Sequence, residues 1–202
     1  MSYQPAIREI ELATELLLVR HAPSTPAGKL YGRTDASADT GCSATFAALR
    51  RQIGDVDACL CSPAKRCQQT AAALWSGQLR TQLDERLWEQ DFGEWDGLPY
   101  GEVPDVGVMK PEELAKHRPP SGESFEDVCA RVQPALLDAA SEWHGKRVAM
   151  VAHAGVVRAA IALALGSPAA ALSFEVRTLS LTHMRVLVGG AFSIGCTNWT
   201  PA

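Results

Sequence analysis

The sequence has no excess of positive charge, no long apolar run and no export signal. Its 19 lysine and arginine residues are outnumbered by 23 aspartate and glutamate residues, and the formal net charge is -4. We therefore expect no broad basic surface for nucleic acid or anionic lipid. The longest apolar runs have the length of a strand, far below the ~20 residues that cross a membrane. The N-terminus also lacks the basic-then-apolar layout of a signal peptide. These absences predict a cytoplasmic protein with no nucleic-acid or membrane partner.

Cysteine is not arranged for zinc sites or disulfide bonds. Three of the six cysteines, Cys59, Cys61 and Cys67, lie close together on a predicted strand and helix. Structural zinc sites typically use Cys-x-x-Cys pairs, a spacing that this sequence lacks. A chain of 202 residues is also long enough to build its core without disulfides. We interpret these cysteines as reduced core thiols and predict no metal and no other cofactor.

Apolar strands alternate with helical patterns along the chain. Strand candidates are residues 16–19, 58–61, 79–83, 147–152, 179–187 and 191–196. Their alternation with helices predicts an α/β fold: a three-layer α/β/α sandwich with a mostly parallel central sheet. Only Val188-Gly189-Gly190 separates the last two candidates, which predicts a hairpin and an antiparallel edge strand. We expect residues 1–202 to form a single domain.

Two helices have clear start signals, and one segment lacks any regular period. Ser124 and Asp127 form a capping-box-like entry to an apolar repeat over 125–143. Ser62-Pro63 has the pattern of an N-cap followed by proline at the first helical position. Residues 96–123 are interrupted by glycine and proline, which predicts a lid-like excursion with one or two short helices.

Charged and polar side chains follow four of the predicted strands. They are Arg20 and His21 after the first strand, Ser62 and Arg66 after the second, Glu89 beyond the third and His153 after the fourth. In open parallel sheets, ligands bind at the carboxyl ends of the strands. Arginine side chains and helix N-termini both suit phosphoryl oxygens. The set predicts a phosphate site, although each residue alone also has an ordinary structural interpretation.

In five ordered segments the chain resembles the histidine phosphatase superfamily, which has the phosphoglycerate-mutase-like fold. The segments are Arg20-His21-Ala22, Ser62 to Thr70, Leu87 to Gly97, Ser121 to Ser124 and Val151 to Arg158. The resemblance implies that His21 attacks phosphorus and forms a phosphohistidine. It also implies that Arg20, Arg66 and His153 hold the equatorial phosphoryl oxygens. Glu89 would protonate the leaving alcohol and later accept a proton from water.

The expected function is hydrolysis of a small phosphorylated metabolite. The segment Tyr31 to Asp35 resembles alpha-ribazole phosphatases, which implies alpha-ribazole phosphate as the substrate and places the chain in cobalamin biosynthesis. A plain turn built on Gly32 and Asp35 is the alternative interpretation of this segment. The predicted substrate-binding residues beyond the phosphate site are Ser24, Tyr31, Arg33 and Ala154. The family usually has glycine where Ala22 and Ala154 stand, so backbone strain at the two alanines is an open question.

Three further functions stay open at this point. One is a broad-specificity sugar-phosphate phosphatase. Another is a phosphoglycerate mutase, which needs a closed, strongly basic pocket, whereas residues 96–123 carry only Lys110, Lys116 and Arg118. The third is a catalytically silent phospho-ligand-binding protein, which needs the arginines but neither His21 nor Glu89. The sequence also leaves the oligomeric state open, a homodimer included.

Overall fold

The computed structural model describes residues 12–76 and 78–201. The strands are β1 (Thr14–Arg20), β2 (Ser24–Thr25), β3 (Ser37–Ala38), β4 (Ala58–Cys61), β5 (Thr81–Leu83), β6 (Arg147–Ala152), β7 (Leu181–Val186) and β8 (Phe192–Trp199). The α-helices are α1 (Ser43–Ile53), α2 (Lys65–Trp75), α3 (Pro111–Lys116), α4 (Phe125–Glu142), α5 (Ala154–Leu165) and α6 (Pro168–Ala171). Short 3₁₀ helices cover Glu85–Leu87, Gly93–Trp95 and Tyr100–Glu102. None of the described helices is long and apolar enough to cross a membrane.

Six strands form the central sheet in the order β5-β4-β6-β1-β7-β8. Strands β5, β4, β6 and β1 run parallel to one another, and β7 runs antiparallel to β1 and β8. The predicted mostly parallel sheet with an antiparallel addition at one edge is confirmed. The predicted strand bounds are close to the observed ones, although β5 begins at Thr81 and β8 continues to Trp199.

Alternate side chains of β1 point into two separate cores. Leu16 and Leu18 belong to the core that α4 and α5 cover, and Leu17 and Val19 belong to the core that α1 and α2 cover. This alternation follows from the two-residue period of a strand. Because each face of the sheet has its own apolar core and its own helices, the predicted three-layer sandwich is confirmed.

Three of the six cysteines are core residues. All six are unpaired, and Cys59, Cys61 and Cys67 are buried in the core under α1 and α2. Burial raises the pKa of Cys59 to about 12, so this thiol is protonated at neutral pH. The prediction of reduced core thiols is confirmed for these three residues.

One predicted helix start is confirmed and the other is wrong. Ser124 caps α4, because its Oγ accepts from the Asp127 N–H at 3.2 Å while the Asp127 carboxylate accepts from the Ser124 N–H at 2.7 Å. Helix α2 instead begins at Lys65, with Ala64 at the N-cap position. Ser62 is held by the sheet, since its N–H donates to the Val151 carbonyl at 3.0 Å.

The excursion over 96–123 is joined to the rest of the fold at both ends. It contains the predicted short helices, namely the 3₁₀ turn Tyr100–Glu102 and α3. Near its start, the Leu30 N–H donates to the Leu98 carbonyl at 2.9 Å, and at its end the Glu123 N–H donates to the Asp91 carbonyl at 2.8 Å. Closure of this segment as a lid stays a prediction.

Candidate active site

A cavity of about 420 Å³ lies at the carboxyl ends of β1 and β6. These strands are neighbours in the sheet, so the residues after β1 and the first turn of α5 reach the same wall. The charged and titratable side chains that line it are Arg20, His21, Lys29, Glu89 and Arg158. Its apolar and aromatic lining includes Leu30, Tyr31, Phe92, Tyr100, Phe125 and Leu172. The cavity therefore combines positive charge, one acid and one histidine within a partly apolar wall.

The His21 imidazole is held in one orientation by the end of β1 and by the Ala22 carbonyl. Its main-chain N–H donates to the Ala152 carbonyl at 2.9 Å, which continues the sheet beyond β1. Its Nδ1 lies 2.7 Å from the Ala22 carbonyl oxygen. Because a carbonyl oxygen only accepts hydrogen bonds, Nδ1 carries the proton and Nε2 keeps a free lone pair.

The pKa of His21 is lowered from 6.5 to about 3. Burial is the main cause, and the positive charges of Arg66 and Arg20 add to it. The hydrogen bond to the Ala22 carbonyl acts in the opposite direction. His21 is therefore neutral at neutral pH, which is the form that can attack phosphorus.

His153 lies behind His21, with the two ring centroids 5.1 Å apart. It is fully buried, its Nδ1 is 3.2 Å from the Arg66 guanidinium, and its Nε2 is 2.8 Å from Ser62 Oγ. An arginine only donates, so Nδ1 accepts and the Nε2–H donates to Ser62. Burial and the nearby His21 and Arg66 hold the pKa of His153 well below its usual value. His153 is therefore neutral. It lies next to His21 but is not among the residues that line the cavity.

These two buried histidines should make the protein less stable as the pH falls. Both are neutral in the native state, whereas a histidine in the unfolded chain binds a proton near pH 6.5. Below that pH the unfolded state binds more protons, so the free energy of unfolding falls by up to about 1.4 kcal/mol per pH unit for each histidine. For His21 the loss extends from pH 6.5 down to about 3.

Urea denaturation at pH 7 and pH 5 measures this effect. We expect His21→Asn to show a smaller difference between the two pH values than the wild type, because one of the two groups is gone. His144→Asn, at an exposed position, is the control and should keep the wild-type difference. An unchanged difference in His21→Asn would contradict a neutral, buried His21.

Arg66 is fully buried in the first turn of α2. Besides His153, its terminal nitrogens donate to the main-chain carbonyls of Gly32 at 2.8 Å and Thr34 at 3.0 Å. These acceptors are uncharged, so they orient the guanidinium without neutralising it. The structure places Arg66 beside His153 and outside the residues that line the cavity; its contact with a phosphoryl oxygen stays a prediction, as does that of His153.

Arg20 and Arg158 both line the cavity. Arg20 donates to the Val176 carbonyl at 2.6 Å, and Arg158 donates through Nε to the Phe174 carbonyl at 2.9 Å. No role for Arg158 was predicted from the sequence. It lies one helical turn after Ala154, so it shares a face of α5 with that cavity residue, and this spacing was the signal that could have identified it.

Glu89 contacts the N-terminus of α5. It is buried, and its Oε1 accepts from the N–H groups of Gly155 and Gln90, each at 3.0 Å. The amides and the positive end of the helix dipole orient the carboxyl group. A Cβ on residue 155 would overlap Oε1, so this close approach depends on Gly155. Oε2 lies farther from the Gly155 N–H, at 3.4 Å.

The predicted substrate-binding residues beyond the phosphate site fall into two groups. Ser24, Tyr31 and Ala154 line the cavity. Arg33 is not among the lining residues. Its guanidinium lies 5.6 Å from the centre of the Trp88 ring and 3.7 Å from the Glu123 carboxylate. The structure thus brings three of the four together and places Arg33 elsewhere.

Two carboxylates hold the segment after Tyr31: that of Asp96, which lies outside the segment, and that of Asp35, which lies within it. Asp96 accepts from the main-chain N–H groups of residues 32–34 at 2.8 to 2.9 Å. Asp35 accepts from the N–H of Lys65 at the start of α2, at 2.7 Å. These contacts favour the turn interpretation of the segment. No role for Asp96 was predicted from the sequence, because its partners are more than 60 residues away in the chain.

The alanines in place of the family's usual glycines cause no backbone strain. Ala22 donates its N–H to Thr70 Oγ1 at 3.0 Å, and Ala154 is the first residue of α5. The non-glycine residues with positive φ in the described chain are Ser76, Ser121, Leu179 and Asn198. Neither alanine therefore requires the backbone freedom of glycine.

Comparison with known proteins places this arrangement in a family. Residues 16–199 match the family model of the histidine phosphatase superfamily (branch 1). A Hydrogenobacter thermophilus protein named "Putative phosphoserine phosphatase 2" is 34% identical over 161 residues, which cover 75% of this chain and 78% of that protein. A Mycobacterium tuberculosis bifunctional protein is 28% identical over 204 residues, which cover 93% of this chain and 54% of that protein.

Solved structures share the fold. A mycobacterial glucosyl-3-phosphoglycerate phosphatase superposes with a TM-score of 0.81 at 22% identity, covering 93% of this chain and 100% of that one. An Escherichia coli structure described as "a putative alpha-ribazole-5'-P phosphatase" superposes with a TM-score of 0.77 at 24% identity, covering 93% of this chain and 97% of that one. Similarity at this level of identity establishes the phosphoglycerate-mutase-like architecture.

Proposed function

This chain belongs to the histidine phosphatase superfamily of phosphatases, and we propose that it hydrolyses small phosphomonoesters through a phosphohistidine on His21. The observation that carries the proposal is the state of His21. Its Nδ1 is tied to the Ala22 carbonyl and the ring is neutral, so the free Nε2 lone pair is available beside Arg20 and Glu89, which line the same cavity. A binding protein would need no such neutral, oriented imidazole.

The proposed reaction has two steps that share one acid. In the first, His21 Nε2 bonds to phosphorus, the bond from phosphorus to the alkoxy oxygen breaks, and the leaving oxygen takes the proton from Glu89. In the second, the Glu89 carboxylate accepts a proton from water, the hydroxyl oxygen bonds to phosphorus, and the phosphorus–nitrogen bond breaks. Inorganic phosphate is released with His21 and Glu89 in their starting states.

Arginine side chains supply the positive charge that the transferred group requires. Arg20 and Arg158 are on the cavity wall, and Arg66 acts from behind His21, whose pKa it lowers. Cations oriented before the reaction stabilise the charge that spreads over phosphoryl oxygens in the transition state. The proposed mechanism uses no metal ion. Among the described residues, no group of three or more His, Cys, Asp or Glu side chains is placed to hold one.

The substrate class we propose is a small phosphorylated metabolite. Alpha-ribazole phosphate, to which the sequence resemblance points, stays one specific candidate, because Tyr31 lines the cavity and offers a ring for a flat heterocycle. The names of relatives add phosphoserine and glucosyl-3-phosphoglycerate as candidates. A cavity of about 420 Å³ suits ligands of this size.

Brief mixing with a phosphomonoester tests the proposed function. We expect turnover of p-nitrophenyl phosphate that is unaffected by EDTA, and acid-labile phosphate that maps to His21. A panel of alpha-ribazole phosphate, phosphoserine, glucosyl-3-phosphoglycerate, sugar phosphates and 3-phosphoglycerate then ranks the substrates by kcat/KM. Binding of phosphate without turnover or phosphoenzyme would favour a silent binding protein. Isomerisation of 3-phosphoglycerate without phosphate release would favour a mutase.

Gly155→Ala should reduce turnover while leaving the fold intact. The added methyl group overlaps Glu89 Oε1, which is the end of a flexible side chain, so the carboxyl group moves and the backbone does not. Displacing a catalytic group by about 1 Å costs on the order of 10²-fold in kcat. Alanine is favoured over glycine within a helix, so the thermal midpoint should stay close to that of the wild type.

Gly101→Ala is the matched control for this substitution. A Cβ at Gly101 meets no atom within 4 Å, and kcat should be unchanged. Wild-type kcat in Gly155→Ala would contradict the position assigned to Glu89.

A further inference from the structure

Arg131 lies on α4, and its guanidinium donates three hydrogen bonds to the segment that carries Glu89 and two to Glu123. NH1 donates to the main-chain carbonyls of Arg86 and Trp88, each at 2.8 Å, and NH2 donates to the Glu89 carbonyl at 2.8 Å. Nε and NH2 also donate to the two carboxylate oxygens of Glu123, at 2.9 and 3.0 Å. A planar guanidinium with five donors in a fixed geometry fits such a set, and a lysine does not.

Glu123 holds the two residues that follow Glu89 in the chain. Its carboxylate accepts from the Asp91 N–H at 3.0 Å, and its carbonyl accepts from Gln90 Nε2 at 2.7 Å. Burial raises the pKa of Glu123, but the hydrogen bonds from Arg131 and Asp91 outweigh burial and keep that pKa below its usual value. Glu123 is therefore an anion that pairs with Arg131, and together they fix the main chain on both sides of Glu89.

We propose that Arg131 and Glu123 are positioning residues for the proton transfer by Glu89. This inference rests on the proposed function, because it assigns a task within the first step of that reaction. The side chain of Glu89 contacts the N–H groups of Gln90 and Gly155. Its alignment with α5 therefore depends on where the backbone of residues 88–90 lies. Catalytic groups need support of this kind to stay within about 0.5 Å of their working geometry.

The two positioning residues are separate from the phosphate-binding groups. Arg131 and Glu123 are not among the residues that line the cavity, and Arg131 makes its hydrogen bonds to the 86–89 segment and Glu123. Arg131 does place a positive charge near His153, whose pKa it helps to lower. A charge effect and a positioning effect make different predictions for lysine at this position, since lysine keeps the charge and loses the five-donor geometry.

The dependence of the phosphorylation rate on the leaving group distinguishes the loss of a positioned acid from general damage to the structure. p-Nitrophenolate leaves as a stable anion and needs little help from an acid, whereas an alkoxide needs protonation. We therefore compare single-turnover phosphorylation of His21 by p-nitrophenyl phosphate and by the alkyl phosphate of the panel that is turned over fastest. The variants are Arg131→Lys, Arg131→Met and Glu123→Gln.

We expect both Arg131 variants to slow phosphorylation by the alkyl ester by on the order of 10 to 10²-fold. The rate with p-nitrophenyl phosphate should fall by less than about 3-fold. Glu123→Gln should show the same selectivity to a smaller extent. In a Glu89→Gln background, Arg131→Lys should add little to the loss with the alkyl ester, since the acid that it positions is already gone.

Arg147→Met is the matched control. Arg147 likewise donates to two main-chain carbonyls, those of Ile53 and Asp55, and to the carboxylate of Glu15. It is the first residue of β6, at the opposite end of the strand from the cavity. We expect the Arg147→Met substitution to lower the thermal midpoint while leaving the ratio of the two phosphorylation rates unchanged.

Three outcomes would overturn the inference. Equal losses with the two esters would mean general structural damage, and wild-type rates in Arg131→Lys would mean that only the charge matters. Additive losses in the Glu89→Gln background would mean that Arg131 acts elsewhere. If the wild type forms no phosphohistidine with either ester, the proposed function fails as well, so the two failures are distinguishable. Arg131→Lys, the mildest change, decides the question where Arg131→Met does not fold.

Discussion

Replacing His21 with alanine should abolish phosphomonoester turnover, with a loss in kcat on the order of 10⁴-fold or more. His21 is the one histidine among the described residues that line the cavity. Its imidazole is neutral and held in one orientation. The variant should therefore form no acid-labile phosphoenzyme. It should still bind inorganic phosphate, because the arginines are unchanged. This combination distinguishes a lost nucleophile from a lost binding site.

Rapid quench with labelled substrate measures the phosphoenzyme, and calorimetric titration measures phosphate binding. His144→Ala, at an exposed position, serves as the control and should behave like the wild type in both assays. Acid-labile phosphate in His21→Ala would assign the nucleophile to another residue, with the buried His153 as the next candidate.

Glu89→Gln should reduce kcat for alkyl phosphates by ~10² to 10⁴-fold. Glutamine preserves the length of the side chain and can still accept from the Gly155 N–H, so the local structure should be retained. It cannot deliver a proton to the leaving oxygen or take one from water. The loss should be much smaller for phosphorylation by p-nitrophenyl phosphate, whose leaving group needs no proton.

The measurement is again single-turnover phosphorylation with the two classes of ester, followed by the rate of dephosphorylation. Glu94→Gln is a matched control, because Glu94 lies in the same segment of chain and is exposed. It should leave both rates unchanged. If Glu89→Gln slowed the aryl and alkyl esters equally, Glu89 would have a role in binding or folding and not in proton transfer.

The place of the candidate site could be predicted from the sequence because topology forces it. Arg20-His21 and His153 each follow a strand, and neighbouring parallel strands bring their carboxyl ends together. The structure adds the tautomer and the neutral state of His21, which depend on contacts that no sequence pattern encodes. The fold class was predictable for a similar reason, since alternating strands and helices allow few topologies.

Contacts distant in the sequence were the part that could not be predicted. The pattern at Ser62-Pro63 favours an N-cap locally, but Ser62 is engaged by His153, 91 residues away. Arg33 looked available for substrate, yet it packs over Trp88. Arg131 has an ordinary place in a helical repeat, and its five hydrogen bonds form only when the chain is folded. Local propensity describes none of these long-range contacts.

The arginines around the cavity are oriented by main-chain carbonyls, and this has a consequence for product release. Arg20, Arg66 and Arg158 all donate to carbonyl oxygens, and Glu89 is the one carboxylate among the described residues of the wall. None of these three arginines forms a salt bridge with a described residue, so an incoming dianion breaks no ion pair when it binds. Inorganic phosphate is a tetrahedral dianion, like the phosphate end of the substrate. We therefore expect orthophosphate to compete with the substrate for the same arginines.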